Sequence, residues 1–290
     1  MQFQTTVQIP QPPFDIAPCE RMLFVGSCFA DNIGKRFVDE GFPVEVNPFG
    51  VMYNPVSILH TIERIPKEQL SSFSTAFFTL GTNHVYIEKA TGCIVDNCQK
   101  RPQRLFREEQ LNIDECADAL LKAMGCLHDS NPHCRVIVTV SPIRYAKYGY
   151  HESQLSKAVL LLAVERLSAV LRQLGSEGNQ MPPLYYFPAY EIVLDELRDY
   201  RFYSPDMLHP SPQAVEFIWE RFSEVAFSDE AKRYLKEWKP LKEALAHRPF
   251  HPESDEYKTF IAKTREKVAV LSEKYPNFAL PKTLDNKVND

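Results

Sequence analysis

The chain is expected to fold as an α/β protein, a doubly wound parallel sheet, on three observations. Short apolar runs at residues 23–25, 135–140 and 184–187 have the near-continuous hydrophobicity of strands buried on both faces. Segments with helical apolar spacing alternate with those runs. Turn formers gather where the runs end: Gly26, Ser141-Pro142 and Pro188.

Each element follows in order. Residues 1–20 are rich in proline and glutamine (Ile9-Pro10-Gln11-Pro12-Pro13) and predict an extended lead-in draped on the surface. Strand 23–25 stops at Gly26, and a helical pattern through Ile33, Phe37 and Val38 runs to Gly41. Val44-Glu45-Val46 is a short second strand ending in Asn47-Pro48-Phe49-Gly50. Asn54 and Pro55 are the N-cap and first residue of a helix whose stripe is Ile58, Leu59, Ile62 and Ile65. Residues 71–99 carry Phe73, Phe77, Phe78, Val85, Tyr86, Ile87 and Ile94 among small polar residues. That pattern predicts two or three antiparallel strands, an insertion at the sheet edge or over the site. Asn112 caps a helix through Cys116, Leu120, Leu121 and Met124 that ends near Gly125. After strand 135–140 come a long helix over 153–174, strand 184–187 and a short helix over 190–197. Ser211-Pro212 is a second cap-and-proline start, for a helix through Phe217, Ile218 and Phe222. Residues 231–245 and 256–274 read as amphipathic helices that wrap the domain or make a homodimer contact. The chain thus divides into the lead-in (1–20), a main domain (21–227) and a helical extension (228–290).

Composition narrows the function. With 290 residues and a net charge of −5, nucleic acid and anionic membrane are poor partners. No apolar run approaches the roughly 20 residues of a membrane span, and the N-terminus has no basic-then-apolar leader, so a cytoplasmic location is expected. The 7 cysteines (19, 28, 93, 98, 116, 126 and 134) are odd in number and without a disulfide rhythm, which suits a reduced compartment. Cys93, Cys98 and His133-Cys134 lack the tight pairing of a zinc site, so no metal or cofactor is expected.

Chemistry centres on Gly26-Ser27-Cys28-Phe29-Ala30. A strand, a tight turn at a glycine, a nucleophile and a helix N-terminus expose a reactive side chain at the carboxyl edge of a sheet. The unpaired N–H groups of the first helical turn then face whatever the nucleophile attacks. These five residues match the motif for which the GSCFA family is named, a family that resembles a branch of the SGNH/GDSL hydrolase clan. The resemblance extends through Asn47-Pro48-Phe49-Gly50, Tyr53-Asn54-Pro55, Val140-Ser141-Pro142-Ile143-Arg144, Gln154-Leu155-Ser156-Lys157, Tyr186 to Glu191, Asp195 to Arg201 and Asp206-Met207-Leu208-His209-Pro210. It implies a flavodoxin-like three-layer α/β/α sandwich.

The resemblance also assigns roles. Gly26 falls on the glycine of the clan's Gly-Asp-Ser, and Cys28 on its nucleophilic serine, with Ser27 the alternative nucleophile. A thiol at a helix N-terminus beside an imidazole is expected to have a lowered pKa. If Cys28 attacks, Ser27 is left to assist the oxyanion or cap the helix. Asp206 and His209, three apart in a loop, suit a carboxylate that orients a general base. Alone, D-x-x-H equally describes an exposed acid and an ordinary loop histidine. Gly50 falls on the clan's second-block oxyanion donor. The third-block Gly-x-Asn is not found after residues 135–140, so Asn54, Asn47 or Arg144 is the expected substitute. Arg144, Lys147, Lys157, Arg198 and Arg201 bind an anionic substrate group or pair with nearby acids, and Tyr145, Tyr148, Tyr150 and His151 suit a sugar-stacking loop. The expected function is an acyl-ester hydrolase or acyltransferase acting on a small-molecule or carbohydrate-linked acyl group, with an acyl thioester as an alternative donor. The rival is a non-catalytic carbohydrate-binding or scaffold protein that keeps the fold.

Overall fold

A computed structural model describes residues 4–289 apart from 97, 99 and 100. Strand β1 (Met22–Gly26) leads into α1 (Cys28–Asp39), and β2 (Val44–Val46) into α2 (Pro55–Arg64) and the single turn α3 (Lys67–Leu70). Next come β3 (Thr75–Leu80), β4 (His84–Glu88), β5 (Ile94–Val95) and β6 (Phe106–Gln110). Helix α4 (Ile113–Ser130), β7 (Arg135–Val140), α5 (Tyr150–Ser176), β8 (Leu184–Tyr186) and α6 (Ala189–Glu191) continue the alternation. Four helices close the chain: α7 (Pro212–Ala226), α8 (Asp229–Ala246), α9 (Asp255–Lys274) and α10 (Lys282–Asn289).

The central sheet has the order β2-β1-β3-β7-β8, and every pairing in it is parallel. This is the flavodoxin-like order, with its switch point at β1, where successive connections leave in opposite directions. Alternate strand residues face two cores. Phe24, Phe77, Ile137 and Tyr185 meet Ile33 and Phe37 of α1 and Trp219 and Phe222 of α7. Leu23, Val25, Ala76, Phe78 and Val138 meet Ile58 and Ile62 of α2, Leu120 and Met124 of α4 and Leu160 and Leu167 of α5. The result is three layers, as the family resemblance implies. Burying one such large side chain contributes about 1.5–3 kcal/mol, so both faces of the sheet are strongly held.

Residues 71–99 divide differently from the expectation. Phe77 and Phe78 lie in β3, an interior strand of the parallel sheet that pairs with both β1 and β7. The antiparallel sheet is β5-β4-β6 and reaches on to Gln110. An isolated aromatic-rich run cannot reveal which sheet it joins, because both strand types bury such residues. Helix α4 continues through Gly125 to Ser130, since the fully formed Asn112/Glu115 capping box and the core outweigh one interior glycine. The helix expected over 190–197 is a short α turn that widens into a π turn at Ile192–Leu197, closed by Arg198 at φ 27°.

The lead-in is tied down. Val7 N–H donates to Glu196, Arg221 donates to the Val7 carbonyl, and Ile16 bridges Phe227. The apolar stripes of the C-terminal helices are used within the chain: Tyr234, Trp238, Leu245, Val268 and Leu271 are buried in the first core. Trp238 Nε1 donates to the Asp39 carbonyl at the end of α1. Of the described helices, none is long and apolar enough to cross a membrane.

Candidate active site

The carboxyl ends of β1, β3 and β7 lie side by side, with Gly26 opposite Thr79 and Leu80 opposite Val140. Gly26 has φ 145°, and a Cβ there would lie 2.2 Å from the Thr79 carbonyl oxygen. Only glycine lets β1 turn this close to β3. Its N–H donates to Asn47 Oδ1 (2.9 Å), and its carbonyl accepts from Met52 N–H (2.8 Å).

The two nucleophile candidates separate at once. Ser27 is fully buried as the N-cap of α1: its Oγ accepts from Phe29 N–H (3.2 Å) and pairs with Thr79 Oγ1 (3.1 Å). Cys28, the first residue of α1, is half-buried and lines a cleft of about 350 Å³ together with His209.

Asp206 and His209 form the expected pair. Asp206 Oδ2 meets His209 Nδ1 at 2.6 Å, while Oδ1 accepts from the N–H groups of Leu208 (2.9 Å) and His209 (3.0 Å). Those backbone donors first, and then the imidazole, hold the Asp206 carboxyl down at about 2, so it stays ionised. The loop is tight, with Met207 at φ 57°. Arg144 pins it: its backbone N–H donates to the Leu208 carbonyl (3.0 Å) and its Nη1 to the Met207 carbonyl (3.1 Å). Arg144 therefore positions the loop that carries His209, and its guanidinium also packs over Tyr150 at 4.2 Å.

Burial pushes the Cys28 thiol above its usual value; hydrogen bonding with Tyr53 opposes this, and the Asp31 charge adds to it. The expectation of a lowered pKa is corrected here: desolvation outweighs the helix N-terminus. Iodoacetamide labelling of Cys28, followed by mass spectrometry from pH 7 to 10, should therefore titrate above the roughly 8.5 of free cysteine. Tyr53→Phe should move that midpoint higher still. Fast labelling below pH 7 would contradict this.

The expected oxyanion donors are mostly occupied. The Gly50 N–H closes a turn onto the Asn47 carbonyl (2.8 Å), and the Asn47 amide donates to Asp31 (2.6 Å). Asn54 lines the cleft but works chiefly as a clamp: Oδ1 caps α2 through Ser57 N–H (2.9 Å) and Nδ2 donates to the His84 carbonyl (3.2 Å). The Gly-x-Asn sought after residues 135–140 stands elsewhere. The third strand of the sheet is β3, and Gly81-Thr82-Asn83 follows it. Even so, Asn83 is buried with Nδ2 on the Leu111 carbonyl (2.7 Å) and its backbone N–H on Ser156 Oγ (3.0 Å).

Tyr53, Tyr86, Tyr145 and Tyr148 wall the cleft, with Thr82, His84 and Asp96. Thr82, His84 and Asp96 line it without having been singled out in the sequence, whereas Tyr145 and Tyr148 belong to the expected sugar-stacking loop and Tyr53 to a family block. His84 is held by Glu108 (2.9 Å) and stacks on Tyr148 at 3.8 Å. Of the expected cations, Lys147 pairs with Glu108, Arg198 with Asp195 and Arg201 with Asp199. Lys157 is buried, with Nζ on the carbonyls of Gly81 (2.6 Å) and Ser141 (2.7 Å). It is therefore a clamp between β3 and β7 and not a substrate anchor. Among the described residues, no group of three or more His, Cys, Asp or Glu is arranged to hold a metal ion.

The GSCFA family model matches residues 21–72 and 66–222, and a second model, for the C-terminal domain of GSCFA proteins, matches 238–285. The chain belongs to the GSCFA family. No curated protein sequence matches it significantly. Solved structures similar to this GSCFA chain include a carbohydrate esterase family 3 protein from Talaromyces cellulolyticus, 12% identical over 75% of this chain and 98% of that one, with a TM-score of 0.38. A catalytic mutant of an acetylxylan esterase from Geobacillus stearothermophilus is 14% identical over 74% and 98%, with a TM-score of 0.41. An acetyl xylan esterase from Butyrivibrio proteoclasticus is 9% identical over 72% and 64%, with a TM-score of 0.38. At these distances no residue role transfers, and chemistry has to be argued from the geometry of the GSCFA cleft itself.

Proposed function

We propose that this GSCFA protein is an acyl-ester hydrolase or acyltransferase that works through a covalent thioester on Cys28. One observation carries the reading: a half-buried thiol at the first turn of a helix and an Asp206-oriented imidazole line one cleft, at the carboxyl edge of a parallel sheet. With Nδ1 committed to Asp206, His209 keeps Nε2 for proton transfer.

His209 takes the thiol proton as Cys28 Sγ bonds to the acyl carbon. The ester C–O bond breaks, and His209 returns that proton to the departing alcohol. Water, or the hydroxyl of an acceptor, then gives a proton to His209 and attacks the thioester, releasing the thiol. Because the resting thiol is held protonated, proton removal and attack belong to one step, as for a serine nucleophile. Tyrosine walls with a few polar groups among them favour a carbohydrate-linked acyl group over a long lipid chain.

Incubation with an aryl acetate followed by rapid acid quench is expected to leave one acetyl group on the Cys28 peptide. Acetylation of Ser27 instead, or undiminished turnover by Cys28→Ala, would overturn the reading.

A further inference from the structure

An oxyanion needs hydrogen-bond donors aimed at the place where charge develops, and removing one costs about 10²–10³ in rate. In this cleft the Cys28 N–H, in the first turn of α1, is one such donor. Of the donors expected from sequence, the Gly50 N–H is taken by the Asn47 carbonyl, and the amides of Asn47 and Asn54 each give one hydrogen, to Asp31 and to the His84 carbonyl respectively. Asn83, which sequence did not single out, gives its N–H to Ser156 and one amide hydrogen to the Leu111 carbonyl.

Among the buried side-chain atoms of the cleft residues, His84 Nε2 and the Tyr145 hydroxyl have no hydrogen-bond partner, and of the two the hydroxyl always carries a proton to donate. It sits against Gly81, where a Cβ would lie 2.3 Å from it, so the glycine keeps room for the hydroxyl. The ring meets Tyr53 edge-on at 6.1 Å, and Tyr53 lines the same cleft as Cys28. Lys157 Nζ lies 5.1 Å from the centre of the Tyr145 ring. A buried hydroxyl left unpaired costs about 1–3 kcal/mol, so one that persists beside a cleft calls for a physical account, such as a partner that arrives from the cleft.

We propose that Tyr145 donates a hydrogen bond to the oxyanion that forms when Cys28 attacks an acyl carbon, filling the place that Gly50 and Asn83 leave. This rests on the reading of Cys28 as nucleophile. Burial, and then the charges of Cys28 and Tyr53, hold the phenol well above its usual pKa, so it stays protonated and donates throughout. No proton is transferred: the hydroxyl hydrogen bonds to the carbonyl oxygen as it becomes anionic, and is released when the C–O double bond reforms.

Tyr145→Phe removes the hydroxyl alone. Turnover of an aryl acetate is expected to fall about 10²–10³-fold in kcat with KM little changed. An aryl trifluoromethyl ketone, which forms an anionic hemithioketal on Cys28, should lose affinity by a similar factor. Tm should not fall, because the variant discards an unpaired polar group. Wild-type kcat in Tyr145→Phe, with acetyl still found on Cys28, overturns the proposal alone. A rate loss matched by a clear fall in Tm marks a packing role and also overturns it. Absence of acetyl on Cys28 in the wild-type protein overturns the nucleophile assignment and this proposal together.

Discussion

Cys28→Ala is expected to lower kcat/KM for an aryl acetate by at least about 10³-fold and to abolish the covalent acetyl adduct. The cleft offers no replacement nucleophile at that position. Ser27 is buried, and both roles of its hydroxyl, capping Phe29 N–H and pairing with Thr79, turn it away from substrate. His209→Ala should cost a comparable factor, since the thiol is held protonated and needs a base at the moment of attack. Groups that act as one unit are non-additive, so the double variant should lose little more than either single one. Additive losses in that cycle would mean that Cys28 and His209 serve separate functions. Ser27→Ala gives the contrast. It should still acetylate Cys28 while losing about 1 kcal/mol of stability with its helix cap, read as a Tm lowered by a few degrees.

Much of this arrangement was legible in the chain because local rules act on it strongly. A glycine between a strand and a helix, a serine able to cap, and a D-x-x-H before Ser211-Pro212 each have one economical geometry. The family resemblance added the order of the blocks and the three-layer fold. Long-range commitments were not legible. Whether Gly50, Asn47 or Asn83 has a free donor depends on Asn47 itself, Asp31 and Leu111, partners that no local pattern names. The Gly-x-Asn was misplaced for a related reason. Phe77-Phe78 reads the same in an antiparallel insertion as in a buried parallel strand, and only pairing with β1 and β7 decides between them. The thiol's raised pKa likewise comes from burial, a tertiary quantity.

The block Gln154-Leu155-Ser156-Lys157 shows what such commitments accomplish. It stands near the start of α5 and reaches the ends of neighbouring elements: Gln154 to the Tyr190 hydroxyl, Ser156 to the Asn83 N–H, and Lys157 to the carbonyls of Gly81 and Ser141. Lys157 therefore holds the ends of β3 and β7 together, beneath the Tyr145 ring. Burial brings its pKa down to about 7, against an ordinary value of 10.5. Below pH 7 the amine is protonated in both folded and unfolded chains, and the folded state bears the full cost of desolvating it. Between pH 7 and 10.5 the unfolded chain holds the extra proton, so stability rises with pH, by on the order of 1 kcal/mol per unit in that window. Lys157→Met keeps most of the stem and removes the titration. The difference in Tm, wild type minus Lys157→Met, should grow in favour of wild type from pH 7 to pH 10, and subtracting the two curves cancels every other titrating group. A pH-independent difference would show that the folded protein keeps this ammonium charged across the range, with the carbonyls of Gly81 and Ser141 compensating its burial.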